Sequence, residues 1–387
     1  MPPPSLVRWL ALAVAAALTL TACARAGDAA PPSPGSGSSS PAGGAGLTPA
    51  PLVDPDEIIS GGPPPDGIPP IDEPQFLPPD DADFLEPQEP VLAVEVNGDA
   101  RAYPLQIMIW HEIVNDRIGG VPITVTYCPL CNTGIAFERP RIDGELLDFG
   151  TSGKLYNSNL VMYDRQTETY WTQATGLAVL GPLTGHQLTF VPARILSFED
   201  WAAAHPDGLV LSRDTGHSRP YGENPYVGYD SSGDPFLFSG ERDTRLGQTD
   251  RVLGLVIGED AVAFPYAELR DRSVGGWAVV EDEVGGLPVV VIWKAGTTSA
   301  LDEADIAASR DVGAVAAFDP RVGDRRLTFE ARPEGVVDRQ TGSTWSITGV
   351  AVAGPLRGER LEPLIGIDSF WFDWAAFHPE TRIYGAP

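Results

Sequence analysis

Through most of the chain, apolar and polar residues alternate with a period of two. "LAVEVNGDARAYP" (Leu92 to Pro104) alternates on both sides of an Asn-Gly pair suited to a tight hairpin turn. "PITVTY", "LTFV" and "PVVVIW" are short β-branched or aromatic runs bounded by Gly and Pro, which predicts further strands. Helical spacing is confined to "SFEDWAAAHP" (Ser197 to Pro206) and one later twin. There Ser197 is placed as an N-cap, Asp200 stands three residues on, and Pro206 forbids continuation. The pattern predicts a mainly β fold with short helices.

The pattern also repeats. "DRQTETYW" (Asp164 to Trp171) returns as "DRQTGSTW" (Asp338 to Trp345), with five of eight positions identical. "FEDWAAAHP" returns as "WFDWAAFHP", "VLAVEVNGDARAYP" as "VLGLVIGEDAVAFP", and "GGVPITVTY" as "GGLPVVVIW", in the same order. One segment is used twice, which predicts two tandem copies of a β-rich module packed as a pseudo-symmetric pair, as two small barrels or sandwiches or as one composite sheet. Residues kept in both copies are expected to serve the shared fold. Asp164, Arg165, Trp171, Trp201 and His205 fall in that class, since Asp338, Arg339, Trp345, Trp374 and His378 repeat them. Residues special to one copy are the candidates for a site.

Composition adds boundaries. Residues 1–23 hold one charge, Arg8, before an apolar stretch of about a dozen residues, too short to span a membrane. The stretch ends in Leu20-Thr21-Ala22-Cys23, which resembles a bacterial lipobox and predicts lipidation (diacylation) of Cys23 after signal-peptide removal. Residues 24–90 are rich in Pro, Gly, Ser and acidic side chains and read as a tether with a reach of roughly 45 Å. Its last part, with Ile68, Ile71, Phe76, Leu77 and Phe84, is expected to lie along the domain as an extended arm. The first repeat spans 91–211, a connector 212–250, and a degenerate second repeat 251–387. With 53 acidic residues against 26 basic ones, the net charge of −27 excludes nucleic acid as a partner. The expected setting is the cell envelope, on the extracytoplasmic face, held to the membrane by the N-terminal lipid, with an envelope protein or a small molecule as partner.

The candidate chemistry lies in "VTYCPLCNTG" (Val125 to Gly134), which holds two of the three cysteines. Registering the repeats puts Lys294 opposite Cys128, Thr297 opposite Cys131 and Trp277 opposite His111, so the second copy has lost all three together. A C-x-x-C pair lets both sulfurs face one ion, and a soft site with few ligands suits copper or zinc, with Cys128, Cys131 and His111 as metal ligands. This is the leading reading. The alternatives are a thiol-disulfide oxidoreductase using the same pair, with a neighbouring His111⁺ standing in for an absent helix dipole, and a non-catalytic envelope binding module with structural cysteines. Whether the protein is an enzyme is left open.

Two loops concentrate polar side chains: "GTSGKLYNSNLVMYD", with Lys154, Tyr156 and Asn157 in an insertion of about six residues that the second copy lacks, and the connector, with His217, Arg219 and Tyr221. These six residues are the candidate ligand-binding set. Together "HEIVND", "VTYCPLCNTGIAFER", "FGTSGKLYNSNLVMYDRQTETYW" and "SRDTGHSRPYGENPY" resemble the secreted bacterial and archaeal proteins grouped as domain of unknown function 3179. The resemblance covers Val91 to Asp230 strongly and the second copy faintly. It implies that the family's cysteine pair and histidine fall on Cys128, Cys131 and His111, and implies no particular chemistry.

Overall fold

The alternating segments form antiparallel hairpins, as their spacing requires. In the computed structural model, which describes residues 49–386, the protein is mainly β with four short α-helices among the described residues. Pro90–Val96 pairs with Asp99–Pro104 in register across the Asn97-Gly98 turn, where both residues have positive φ. Ala193–Ser197 extends this sheet on one side and Leu209–Leu211 on the other, with Phe76–Leu77 at the far edge. A second sheet runs Phe190–Val191, Thr133–Glu138, Val121–Cys128, Ile113–Ile118. A third runs Ile59–Ser60, Phe149–Tyr156, Asn159–Asp164, Tyr170–Thr172, Leu177–Leu180.

Each sheet has a counterpart later in the chain with the same strand order, apart from the edge strands Phe76–Leu77 and Ile59–Ser60, which have none. Gly366–Phe370, Arg251–Ile257, Asp260–Pro265 and Arg382–Ile383 match the first. Glu362–Pro363, Ala314–Asp319, Leu287–Lys294 and Trp277–Val284 match the second, and Phe329–Arg332 to Ala351–Ala353 the third. Helices α1 (Leu105–His111) and α3 (Tyr266–Asp271) follow equivalent strands, as do α2 (Phe198–Ala204) and α4 (Trp371–Phe377). Ser197 caps α2 by accepting from the Asp200 backbone N–H.

The residues that the repeats share do the same work in both places. Asp164 accepts from the Thr167 N–H and from the buried Trp171 indole at 3.0 Å, and Asp338 accepts from the Thr341 N–H and the Trp345 indole at 3.1 Å. Each Asp closes a turn while satisfying a tryptophan donor that burial would otherwise orphan. The cores interleave across the repeats. One apolar cluster joins Val91, Ala93 and Trp201 to Val290, Phe318 and Trp345, and another carries Phe370 and Phe372 into the first repeat's core.

The stretch to Pro90, a tether by composition, is part of this body from residue 49 onward. Ile58, Ile71 and Leu85 are buried, Ile59–Ser60 pairs with Leu155 and Lys154, and Arg165 binds Asp66 and Asp72. A few apolar residues spaced along a Pro-rich arm suffice, because they are buried against a surface that is already folded. Cys23 and the rest of the predicted leader lie outside the described residues.

Candidate functional site: a buried cysteine pair and the cavity beside it

Val121–Cys128 and Thr133–Glu138 are joined by a four-residue turn closed by Asn132 at φ 54°, a conformation that asparagine tolerates. The turn places the Cys128 and Cys131 sulfurs 3.2 Å apart as free, buried thiols. The motif therefore sits on a hairpin between two strands and does not itself open a helix.

What surrounds the sulfurs comes from elsewhere. The Cys131 thiol donates to the Ser158 carbonyl at 3.4 Å, and Asn159 Nδ2 lies 3.5 Å from its sulfur. Both residues belong to the tip of the Phe149–Tyr156/Asn159–Asp164 hairpin, whose turn residues Asn157 and Ser158 have positive φ. The insertion absent from the second repeat thus lengthens this hairpin until it reaches the cysteine turn. Asn159 also donates to Asp373 Oδ1 at 2.9 Å, and Ser369 donates to Asp373 Oδ2 at 2.9 Å. Asp373 lies on α4 of the second repeat, and the Phe370 N–H donates to the Cys131 carbonyl at 2.8 Å. Burial raises the Asp373 carboxyl to about 6, against the pull of hydrogen bonds from Cys131, Ser369 and Asn159. Burial, the Cys128 thiol and the Asp373 charge push the Cys131 thiol well above its ordinary range.

The same junction recurs with other chemistry. Asp200 of α2, the counterpart of Asp373, binds Lys294 Nζ at 2.7 Å, and Lys294 is the counterpart of Cys128. Each repeat's helix carboxylate thus meets the other repeat's second-sheet hairpin. In one case the partner is an ammonium, in the other a dithiol.

His111 is not with the sulfurs. Its Nδ1 donates to the Pro69 carbonyl at 2.7 Å and its Nε2 accepts from the Tyr221 hydroxyl at 2.6 Å, which in turn bonds Thr215 Oγ1 at 2.6 Å. Burial lowers its pKa to about 4, so the ring is neutral at pH 7 and supplies no cation to a thiolate. Of the candidate ligand residues, Tyr221 and the exposed His217, whose ring centre is 5.5 Å from that of His111, gather here, and Arg219 is exposed nearby. Lys154 lines a separate cavity, Tyr156 packs on Phe377, and Asn157 forms the hairpin turn. The six are therefore split between two places. Among the described residues, no group of three or more His, Cys, Asp or Glu side chains is arranged to hold a metal ion.

The cavity has a volume of about 670 Å³ and lies between the first repeat and the connector. Leu130 of the cysteine turn, Leu160, Tyr226, Tyr229 and Phe236 supply apolar wall, and Glu112 a carboxyl. Tyr226 and Tyr229 line the cavity, and burial raises both hydroxyls above their ordinary range.

The body is mainly β, and its buried dithiol lies where the cysteine hairpin meets α4. The model of the family described as "Protein of unknown function (DUF3179)" matches residues 65–381, and the chain belongs to that family. No curated protein and no solved structure matches it. Among the described residues, no helix is long and apolar enough to cross a membrane.

Proposed function

We propose that Cys128 and Cys131 form a redox-active dithiol that exchanges with a small disulfide. The observation that carries this reading is the pair of sulfurs 3.2 Å apart with the Asp373 carboxyl beside Cys131. Cys128, as thiolate, attacks one sulfur of the substrate disulfide, forming a mixed disulfide and expelling one thiolate. Cys131 then attacks the Cys128 sulfur, its proton passing to Asp373, while the bond from Cys128 to the substrate sulfur breaks and the second substrate thiolate leaves. Both released thiolates take up protons from Asp373 and solvent. The dithiol is oxidised to a disulfide and the substrate reduced to two thiols. A small substrate suits the site, because both thiols are buried. On this reading the two repeats pack as a pseudo-symmetric pair, and the second serves the first by supplying Asp373 across the junction.

A second reading, soft-metal binding (copper or zinc) by the two sulfurs, is favoured by their convergence within one turn. It would need both sulfurs ionised, and His111 as third ligand would have to surrender two hydrogen bonds. The protein is further proposed to be a lipid-anchored envelope protein held through Cys23, on the strength of its N-terminal sequence.

The test is mass spectrometry of the chain purified without chelator or reductant, then incubated with glutathione disulfide. The redox reading expects loss of two protons on oxidation, reversal by dithiothreitol, and a glutathione adduct on Cys128 trapped by Cys131→Ser. Metal bound stoichiometrically and lost in Cys128→Ser, with no trapped adduct, would replace it by the second reading.

A further inference from the structure

Where α2 and α4 end, the fold makes the same place twice and fills it only once. The strand pairings fix the equivalence: Arg194 lies across from Ala93, and Ile367 across from Gly254. On the first side the Arg194 guanidinium lies 5.5 Å from the centre of the Phe318 ring, and its Nη1 donates to the Thr348 carbonyl at 3.5 Å. Glu95 there pairs with Arg360 at 3.2 Å and lies 3.9 Å from His205 Nε2. On the second side all three charged residues are replaced: Arg194 by Ile367, Glu95 by Val256 and Arg360 by Gln187. The histidine is kept, as His378. The space that the arginine fills on the first side is open on the second. A cavity of about 340 Å³ lies there, lined by Ile367, Val256, Gln187 and His378 themselves, together with Phe190 and Ile365.

The lining restricts what could occupy this cleft. It contains no Asp, Glu, Lys or Arg, so a charged occupant would lose its hydration without gaining a partner. The wall is mainly apolar and includes the Phe190 ring, itself packed on Phe137 at 4.8 Å between centres. The equivalent space on the first side holds a planar group over an aromatic ring, and a planar occupant of that size suits Phe190 in the same way. The polar handle is His378. Its ring rests on Trp374, 4.1 Å between centres, and hydrogen-bonds no group among the described residues, since Val256 stands where its counterpart has Glu95. Burial lowers its pKa to about 4, so the ring is neutral at pH 7 and offers one donor and one acceptor. A hydroxyl both donates and accepts, and therefore complements either tautomer.

We propose that this cleft between the repeats binds a small uncharged aromatic molecule bearing a hydroxyl group, the ring against Phe190, Ile365 and Ile367 and the hydroxyl on His378. The cysteines do not line the cleft, and the site stands whatever their chemistry.

The test titrates three probes, para-fluorophenol, para-fluorotoluene and para-fluorobenzoate, into the full-length chain at pH 7, followed by fluorine NMR. The phenol is expected to bind roughly three- to tenfold more tightly than the toluene, the worth of one hydrogen bond. The benzoate should bind at least about tenfold more weakly than the phenol. His378→Leu should erase the preference for the phenol while leaving para-fluorotoluene bound. The His378 Cε1 proton resonance, identified by its loss in that variant, should shift as the phenol is added. Ile367→Arg, which supplies the side chain that fills the first side, should exclude phenol and toluene alike. Val256→Trp, at a position 44% exposed, should do the same and serves as the test should Ile367→Arg not fold. Failure of phenol and toluene to bind, equal affinity for the two, benzoate bound as tightly as phenol, a preference that survives His378→Leu, or binding that survives the filled variants would each overturn the proposal.

Discussion

Replacing Glu112 by Gln should stabilise the protein at neutral pH, and the size of the effect follows from burial. Desolvation raises the carboxyl from its ordinary 4.5 to about 8, with no hydrogen bond or counter-charge to offset it. Because the folded value lies above the unfolded one, the unfolded chain releases its proton first as the pH rises. Stability is then complete below pH 4.5 and falls until the native carboxyl also ionises near 8. Each pH unit inside that window costs up to about 1.4 kcal/mol, so the loss at pH 7 is on the order of 3 kcal/mol. The amide of Gln has nearly the same shape and does not titrate. The stability difference in favour of Glu112→Gln should therefore grow from below about 1 kcal/mol at pH 5 to about 3 kcal/mol at pH 7. Urea unfolding followed by tryptophan fluorescence at pH 5, 6, 7 and 8 measures it, with the 9 tryptophans as reporters. Asp368 and Asp373, both raised to about 6 by burial, titrate in the same range but in both proteins, so they cancel in the difference. Parallel stability curves for the two proteins would refute the reasoning, because they would mean that Glu112 is ionised and paired in the native state.

Four further outcomes are expected. Asp373→Asn should slow closure of the Cys128–Cys131 disulfide from the trapped mixed disulfide by at least about tenfold at pH 7, and should remove a rise in rate with pH near 6, both read by quenched-flow mass spectrometry. Gly254→Ala should cost on the order of 1–3 kcal/mol in urea unfolding, since a Cβ there would run into the Trp374 ring. The reverse change at the matching position of the first repeat, Ala93→Gly, should cost on the order of 1 kcal/mol by loosening a strand interior. Lys294→Ala should cost about 1 kcal/mol, since its pair with Asp200 is only partly shielded from water; salt should not restore the loss.

What the sequence determined by itself was whatever depends on neighbours along the chain. Alternation with an Asn-Gly pair implied the hairpin at Asn97, and Ser197 and Pro206 bounded α2. The duplication was legible because both copies use the same Asp to close a turn and hold a tryptophan. The same motifs sufficed to recognise the family. Composition was misleading for residues 49–67, where mean polarity concealed anchoring side chains such as Ile58, whereas the apolar residues around Ile71 and Phe76 did mark the arm that lies along the domain. The site was less legible. His111 stood close to the cysteines in the chain, yet its ring is turned to Pro69 and Tyr221. Asp373 was invisible for a specific reason: it repeats Asp200, and a residue kept in both copies was taken to serve its own copy's fold. Only the packing of the repeats carries each helix carboxylate across to the other's hairpin, to Lys294 in one case and Cys131 in the other. Glu112 likewise becomes unusual only when α1 ends in a left-handed residue and the connector closes a cavity over it. Sequence pattern reports which face of an element is buried; which chemical groups meet there is decided by how distant elements pack.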